Sequence, residues 1–256
     1  MSATDVTERV PSTEHAGASI TGRCRDVNED GWAALPRLGV YFVVDGCGGD
    51  APGRLAADLA VQSVERLCSA DSTVPVELLA LAIQEANAQF YAAAKAKSLG
   101  MGATIAALRF APPWVATASV GDCRIYRYRG GSGPEHGRAD RVLARLTTDD
   151  LLWVDMVHAA ASIAQVTGAY TTHRNVVTRA LGVSASVDIK VRYTKHQAGD
   201  VYLLCSDGVS TQLDDDEIRE CIADDDLPLA ARCARLLAAA DARVGADNAT
   251  AVLIQS

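Results

Sequence analysis

Four aspartates stand at the ends of strand-like segments, each beside a glycine or an asparagine. They lie in the contexts VVDGCGG (Asp45), SVGDCR (Asp122), LCSDGVS (Asp207) and GADNATAV (Asp247). A neighbouring Gly or Asn permits a tight turn that leaves the carboxylate projecting. An ordinary Asp turn would explain any one of them, but the recurrence at four strand ends favours a shared role.

A further acidic group, Asn28-Glu29-Asp30, comes just before another strand-like segment. So many converging carboxylates would repel one another unless cations neutralised them, and hard oxygen ligands suit Mg²⁺ or Mn²⁺. A two-metal site of this kind can activate a water and clamp a phosphoryl group. That chemistry also needs a positive group for the substrate oxygens, and Arg25 is the nearest candidate.

The periodicity of the apolar residues predicts the elements that must position these side chains. Short β-branched or aromatic runs predict strands, and Ala- and Leu-rich segments with helical spacing predict helices. The predicted strands are 40–44, 104–110, 114–120, 124–129, 201–205 and 249–254, and the predicted helices are 55–68, 76–97, 214–222 and 227–240. Residues 130–140 are predicted as a surface loop and 147–182 as helical or irregular. Helices in pairs between groups of strands predict packed sheets with helices outside.

Length and composition indicate a globular protein of 256 residues, with 49% hydrophobic residues and 22% charged ones. We predict a flexible N-terminal tail at 1–18 and a single domain at 19–256. The net charge of −8 disfavours nonspecific nucleic-acid binding. No apolar run reaches the roughly 18 residues of a membrane span, and the start lacks a secretory signal. We therefore expect a cytoplasmic monomer that binds neither nucleic acid nor membrane.

The seven cysteines form an odd set without C-x-x-C spacing. This pattern argues against a disulfide framework and against a zinc site. Reduced thiols are the prediction.

Six motifs, in order between about Gly22 and Ile254, resemble those of the type 2C metal-dependent protein phosphatases. The last of them pairs Asp247 with Asn248. The first five are GRCRDVNED (22–30), VDGCGG (44–49) with Gly53 downstream, GDCR (121–124), HRNVVTRALG (173–182) and SDG (206–208). The tail-free form is similar to the stand-alone bacterial members, which act on phosphoserine and phosphothreonine.

The resemblance implies an α+β fold, a four-layer αββα sandwich of two antiparallel sheets flanked by paired helices, with the metal centre at one end. Asp45 would bridge two Mn²⁺ or Mg²⁺ ions, with the Gly46 carbonyl on one ion and Asp207 and Asp247 on the other. Asp30, or its neighbour Glu29, would join the second ion's ligand shell, and Asp122 would hold a weaker third ion with Asp207. Arg25, Asp45 and Asp207 would be the catalytic residues.

In the mechanism that the resemblance implies, Arg25 would grip the phosphate bidentately. A water between the two ions would lose its proton and attack phosphorus in line, without a phosphoenzyme. A metal-bound water or an unassigned acid would protonate the leaving oxygen.

The sequence departs from the family pattern at several positions. Cys47 and Cys123 stand where relatives usually carry Met and Ser, and they are either small buried filler or oxidation-sensitive thiols. Asp150 replaces a histidine that usually follows Asp149. The flap at 147–172 is atypical, and its apolar residues either pack against the protein or bind a partner.

Three hypotheses follow for the function. The first is an active phosphatase for phosphorylated proteins that are targets of Ser/Thr kinases. The second is a catalytically silent scaffold, although all the expected ligands remain. The third is a phosphatase dedicated to one regulatory or secretion-system phosphoprotein.

Overall fold

The computed structural model of the chain describes residues 13–47, 52–68, 77–97, 101–130, 142–159, 161–243 and 247–255. These residues contain ten strands, seven α-helices and a short 3₁₀ helix at Pro36–Leu38. The strands are β1 Glu14–Ile20, β2 Gly31–Leu35, β3 Val40–Cys47, β4 Gly102–Ala111, β5 Trp114–Val120, β6 Arg124–Arg129, β7 Val142–Arg145, β8 Lys190–Lys195, β9 Val201–Cys205 and β10 Ala249–Gln255. The helices are α1 Pro52–Cys68, α2 Leu78–Lys97, α3 Leu152–His158, α4 Ile163–His173, α5 Asp207–Ser210, α6 Asp215–Ile222 and α7 Leu229–Asp241.

The strands form two antiparallel five-stranded sheets. The first sheet has the order β1-β10-β9-β6-β7, and the second has the order β2-β3-β4-β5-β8. Chain neighbours pair in the second sheet through β2, β3, β4 and β5, whereas the first sheet joins the two ends of the chain at β1 and β10. The long-range pairing brings residues near position 20 beside residues near position 250.

Three apolar clusters fill the three interfaces between four layers. One packs α1 and α2 on the outer face of the second sheet around Phe42, Ile83 and Phe90. Another packs α6 and α7 on the outer face of the first sheet around Leu203 and Leu236. The third lies between the two sheets. The fold is the αββα sandwich that the resemblance implies.

Every strand and helix predicted from periodicity is present, and the predicted and observed ends differ by at most three residues. Among the described residues, no helix is both long enough and apolar enough to cross a membrane. The six cysteines whose side chains the structure describes, all but Cys68, are free thiols. The predicted surface loop at 130–140 lies outside the described residues, apart from Gly130.

The predicted tail is wrong at its C-terminal boundary. Strand β1 begins at Glu14 and pairs with β10 along its whole length, from Glu14 with Gln255 to Ile20 with Ala249. The small residues of this edge strand hide its strand character, and its partner lies at the opposite end of the chain. Residues 1–12 lie outside the described residues.

Two acidic clusters precede helices, and only the first caps one. Asp214 accepts a hydrogen bond from the Glu217 amide, and the Glu217 side chain accepts one from the Asp214 amide, so together they form a capping box on α6. By contrast, α7 has Pro228 as its N-cap, without a side-chain cap. The preceding Asp224 instead binds Arg235.

The flap consists of α3 and α4. Trp153 and Tyr170 pack edge to face across the two helices, with ring centroids 5.4 Å apart. Val157 and Ile163 remain exposed, so the apolar residues of the flap are only partly covered.

Candidate metal centre and active site

The predicted site residues meet at one end of the sandwich. Asp45 and Gly46 lie near the end of β3, and Asp122 follows the end of β5, which runs parallel to β3. In the facing sheet, Asp207 follows β9 and Asp247 precedes β10, which is antiparallel to β9. Strand topology therefore brings together five acidic or carbonyl groups that are up to 202 residues apart in the chain.

Asp30 lies directly before β2 and is buried. One carboxylate oxygen, Oδ2, accepts hydrogen bonds from Ser206 Oγ at 2.8 Å and from Thr250 Oγ1 at 2.7 Å. The other oxygen, Oδ1, is buried without a hydrogen-bond partner. Burial, together with the charges of Asp207 and Asp247, raises the pKa of Asp30 to about 6.

Asp45, Asp122 and Asp207 also have raised pKa values, with burial as the largest cause. Burial and the charges of Asp30, Asp207 and Asp122 raise the pKa of Asp45 well above its usual value. Burial and the charges of Asp207 and Asp149 raise the pKa of Asp122 to about 7. Burial also raises the pKa of Asp207. The cluster thus favours bound protons or cations over bare negative charge.

Arg25 lies in the turn after β1 and forms a forked ion pair with Asp247. Its Nε lies 2.6 Å from Asp247 Oδ1, and its Nη2 donates to Oδ2 at 2.7 Å. A planar guanidinium binds two oxygens of a carboxylate or a phosphate in the same manner. The side chain is half exposed, so it can exchange one partner for another.

Asn248 joins the Arg25 turn to β10. Its side-chain amide donates to the carbonyls of Thr21 at 2.6 Å and Val27 at 3.0 Å, and its Oδ1 accepts from the Glu29 amide at 2.9 Å. The turn that carries Arg25 is therefore held at both of its ends by one side chain.

Gly208 explains why Asp207 lies so close to this strand. A Cβ on Gly208 would meet the Asn248 carbonyl oxygen at 1.9 Å. Only glycine permits this approach, which places the Asp207 turn against the start of β10.

The Asp122 turn is fixed by Gly121 and Asp150. Gly121 has a φ of +95°, and its amide donates to Asp150 Oδ2 at 2.9 Å while its carbonyl accepts from the Asp150 amide at 2.9 Å. Asp150 also binds Arg179 and Lys190, each at 2.5 Å. The carboxylate that replaces the usual histidine therefore connects the flap to the Asp122 turn.

The donor set fits hard divalent cations. All the predicted ligands are carboxylate or carbonyl oxygens, and the lone Asp30 Oδ1 is a buried acceptor that needs a partner. In the described part of the chain, no group of three or more His, Cys, Asp or Glu side chains is arranged closely enough to hold a metal ion. Two of the predicted ligands have other partners instead, since Arg25 holds Asp247 and two hydroxyls hold Asp30.

The family of the chain follows from its match to a known family model. The model of the family described as Protein phosphatase 2C matches residues 23–247. The chain belongs to this family. It is accordingly a metal-dependent protein-serine/threonine phosphatase, and its substrates are phosphoproteins.

Individual relatives agree with the family assignment. The serine/threonine phosphatase stp of Listeria monocytogenes is 28% identical and matches 91% of this chain and 92% of its own. The serine/threonine protein phosphatase PstP of Mycobacterium tuberculosis is 30% identical over 93% of this chain, which spans 44% of that protein.

Solved phosphatase structures share the fold. PppA of Pseudomonas aeruginosa, described as a key regulatory component of T6SS, has a TM-score of 0.79 at 28% identity, covering 96% of this chain and 98% of its own. The PstP catalytic domain in complex with two manganese ions has a TM-score of 0.74 at 28% identity, covering 95% and 97%.

Sequence reasoning missed the residues of this phosphatase that position the ligands. Ser206, to which the sequence assigned no role beyond its place in the SDG motif, donates to Asp30 and accepts from the Thr250 amide. Thr250 lies inside an apolar strand motif that gave no signal. Gly48 and Gly49, two of the predicted motif residues, lie outside the described residues, and Gly53 lies within α1 rather than in a loop.

The two unusual cysteines differ in exposure. Cys47 is exposed at the end of β3. Cys123 is fully buried, lies 3.2 Å from Thr104 Oγ1 and has a pKa raised by burial and by the charges of Asp45 and Asp122. A buried thiol with a raised pKa is a poor nucleophile, so Cys123 fits the filler interpretation.

Proposed function

We propose that this phosphatase uses two Mn²⁺ or Mg²⁺ ions bound by Asp45, the Gly46 carbonyl, Asp207 and Asp247. Asp30 would complete the ligand shell, and Asp122 with Asp207 would hold a weaker third ion. The raised pKa values of Asp30, Asp45 and Asp122 carry this proposal, because cations relieve the same repulsion between carboxylates that protons do.

Ions held there would supply a water activated near neutral pH and would offset the charge of the phosphoryl oxygens. The protein's own part is to orient the substrate. Arg25 would release Asp247 and donate its two N–H groups to two phosphate oxygens. The guanidinium would thus exchange one bidentate anion, the carboxylate, for another, the phosphate. Asn248 holds the Arg25 turn while this exchange takes place.

Asp30 is a positioning group in this proposal. Its Oδ2 is fixed by the Ser206 and Thr250 hydroxyls, which leaves Oδ1 as the oxygen that would serve the ligand shell of a bound ion, partly through water. The substrates we propose are phosphoserine and phosphothreonine proteins that Ser/Thr kinases modify. A cytoplasmic monomer that binds neither nucleic acid nor membrane stays a prediction of the sequence.

The test is hydrolysis of p-nitrophenyl phosphate and of a phosphothreonine peptide with Mn²⁺, with Mg²⁺ and with EDTA. We expect turnover with metal only, and loss of turnover in the Asp207→Asn variant. Folded protein that binds metal without turnover would favour the silent scaffold. Turnover of a folded phosphoprotein partner but of no peptide would favour the dedicated phosphatase.

A further inference from the structure

A groove of about 720 Å³ lies between the flap and the open edge of the second sheet. Strands β5 and β8 form its floor, where Thr117 pairs with Arg192 and Ser119 pairs with Lys190. Helix α3 forms one wall through Asp155 and His158. The groove contains none of the carboxylates of the metal centre.

Most of the charges in this groove are already paired. Arg179 and Lys190 both bind Asp150, and Arg179 also lies 3.4 Å from Asp155. Asp155 accepts a further hydrogen bond from Thr178 at 2.7 Å. Among the described residues, no acidic side chain pairs with the Arg192 guanidinium, so this groove offers one cation to an incoming anion.

The groove leads towards the metal centre. Ser119 and Thr117 lie on β5, three and five residues before Asp122, which follows the end of that strand. Because an extended residue spans about 3.3 Å, Ser119 and Thr117 lie at most roughly 10 and 16 Å from Asp122 along the chain. An extended peptide spans the same distance in three to five residues, because its rise per residue is similar.

We propose that this groove binds an acidic side chain of the phosphoprotein substrate, three to five residues from the phosphorylated one, through Arg192. The proposal rests on the proposed function and adds a specificity determinant to it. A molecule of net charge −8 repels acidic substrates at long range, and the Arg192 guanidinium supplies a local attraction that would offset this repulsion in the groove. A guanidinium fork suits a carboxylate, and the groove is open enough to admit a peptide.

The experiment compares phosphothreonine peptides that carry Glu or Gln at the positions three to five residues on either side of the phosphothreonine. In Mn²⁺, we expect the wild-type protein to favour one Glu peptide by about fivefold in kcat/KM, the size of a partly exposed charge pair. Arg192→Gln should remove this preference, while kcat/KM for p-nitrophenyl phosphate stays unchanged. Arg192→Glu should reverse it, favouring the matching Lys peptide.

The matched control is Arg37→Gln, which removes the same charge from an exposed arginine in the 3₁₀ helix after β2. It should keep the wild-type preference. The proposal is overturned by equal kcat/KM for the Glu and Gln peptides, by a preference that survives in Arg192→Gln, or by equal losses in both variants.

Failure of the proposed function would be recognised separately. If p-nitrophenyl phosphate is not hydrolysed, the groove is tested by fluorescence anisotropy with labelled, unphosphorylated Glu and Gln peptides. Tighter binding of the Glu peptide to wild type than to Arg192→Gln supports the groove, and equal binding overturns it.

Discussion

At the scale of single residues, the charge of Asp207 has opposite effects on activity and stability. Asp207 is a proposed ligand, and it raises the pKa of Asp30, Asp45 and Asp122. Asp207→Asn should lower kcat/KM at least about 100-fold, because a lost ligand removes charge stabilisation of the transition state. It should also stabilise the metal-free protein by on the order of 1 kcal/mol, because it removes a repelling charge.

Steady-state kinetics in Mn²⁺ and urea denaturation in EDTA measure these two effects. Asp216→Asn is the control, since this acid is exposed at the start of α6 and its only described ion pair is with Arg219. It should change neither quantity appreciably. Equal activity loss in both variants would contradict the assignment of Asp207.

Gly208 is a second residue whose role is local and steric. Gly208→Ala places a methyl group 1.9 Å from the Asn248 carbonyl oxygen, so the Asp207 turn must move away from β10. We expect a loss of about 2–4 kcal/mol in the free energy of unfolding, typical of overpacking against backbone, together with reduced activity. Urea denaturation and p-nitrophenyl phosphate hydrolysis measure the two losses.

Gly168→Ala provides the contrast for this substitution. Gly168 lies within α4, and a Cβ there meets nothing within 4 Å. The alanine should stabilise the protein by up to about 1 kcal/mol through its higher helix propensity. A destabilised Gly168→Ala variant, or a fully stable Gly208→Ala variant, would contradict the packing described.

At the scale of elements, Asp150 connects the flap to the Asp122 turn. Its carboxylate accepts from the Gly121 amide and binds Arg179 and Lys190, all within 2.9 Å. Asp150→Ala should destabilise the protein by about 3–5 kcal/mol, because it leaves the buried Gly121 amide without its acceptor, removes the described acidic partner of Lys190 and leaves Arg179 with Asp155 alone. It should also speed amide hydrogen exchange in α3 and α4, the elements that lose their anchor.

Asp155→Asn is the control variant. It tests whether losing any acidic side chain near the flap has the effect expected for the loss of Asp150. Asp155 is partly exposed and shares only Arg179 with Asp150, so its loss should cost less than about 1 kcal/mol. Amide exchange followed by mass spectrometry should then show little change in the flap. Equal protection in wild type and Asp150→Ala would refute the anchoring role.

The elements also show how far the sequence could predict the fold. Continuous apolar runs such as Val201–Cys205 predict buried strands correctly, because both faces of such strands are covered. Strands β1, β7 and β8 lie at sheet edges and carry polar or small residues, as in KVRYTK at Lys190–Lys195. Edge strands need little apolar surface, so periodicity gives them no signal.

The site was predictable to a different degree. Aspartates beside glycines at strand ends mark the ligands locally, within a few residues of sequence. The hydroxyls on Asp30 and the amide of Asn248 act across more than 170 residues, so no local pattern reveals them. Their roles depend on the pairing of β1 with β10, which only the folded chain establishes.

At the scale of the whole molecule, the four-layer sandwich stabilises a centre that is itself destabilising. Three apolar clusters hold the two sheets and their helices, and the strand ends carry the carboxylates on that frame. The unfolded chain has no such crowding of negative charge. Folding without metal therefore has an electrostatic cost, which protons or cations reduce.

This cost predicts how the stability of the metal-free protein depends on pH. The folded pKa values of Asp30 and Asp122, about 6 and about 7, lie above the unfolded value of about 3.9, so the folded state binds more protons between pH 4 and pH 7. Asp30 and Asp122 should therefore each increase the free energy of unfolding in EDTA by on the order of 2 kcal/mol as the pH falls from 8 to 5. Saturating Mn²⁺ should abolish this increase, since cations replace the protons.

Other groups also titrate between pH 5 and pH 8, and comparing wild type with a variant cancels their contribution to the pH dependence of stability. His196 has a lowered pKa caused mainly by burial, so its protonation destabilises the folded state as pH falls and opposes the aspartates. Asp122→Asn deletes one raised group and leaves His196 unchanged. The free energy of unfolding in EDTA, from urea titrations at pH 5 and pH 8, should therefore change less with pH in Asp122→Asn than in wild type. Identical pH dependence in the two proteins would mean that Asp122 is ionised equally in the folded and unfolded states, and the repulsion that is proposed to recruit metal would be absent at that position.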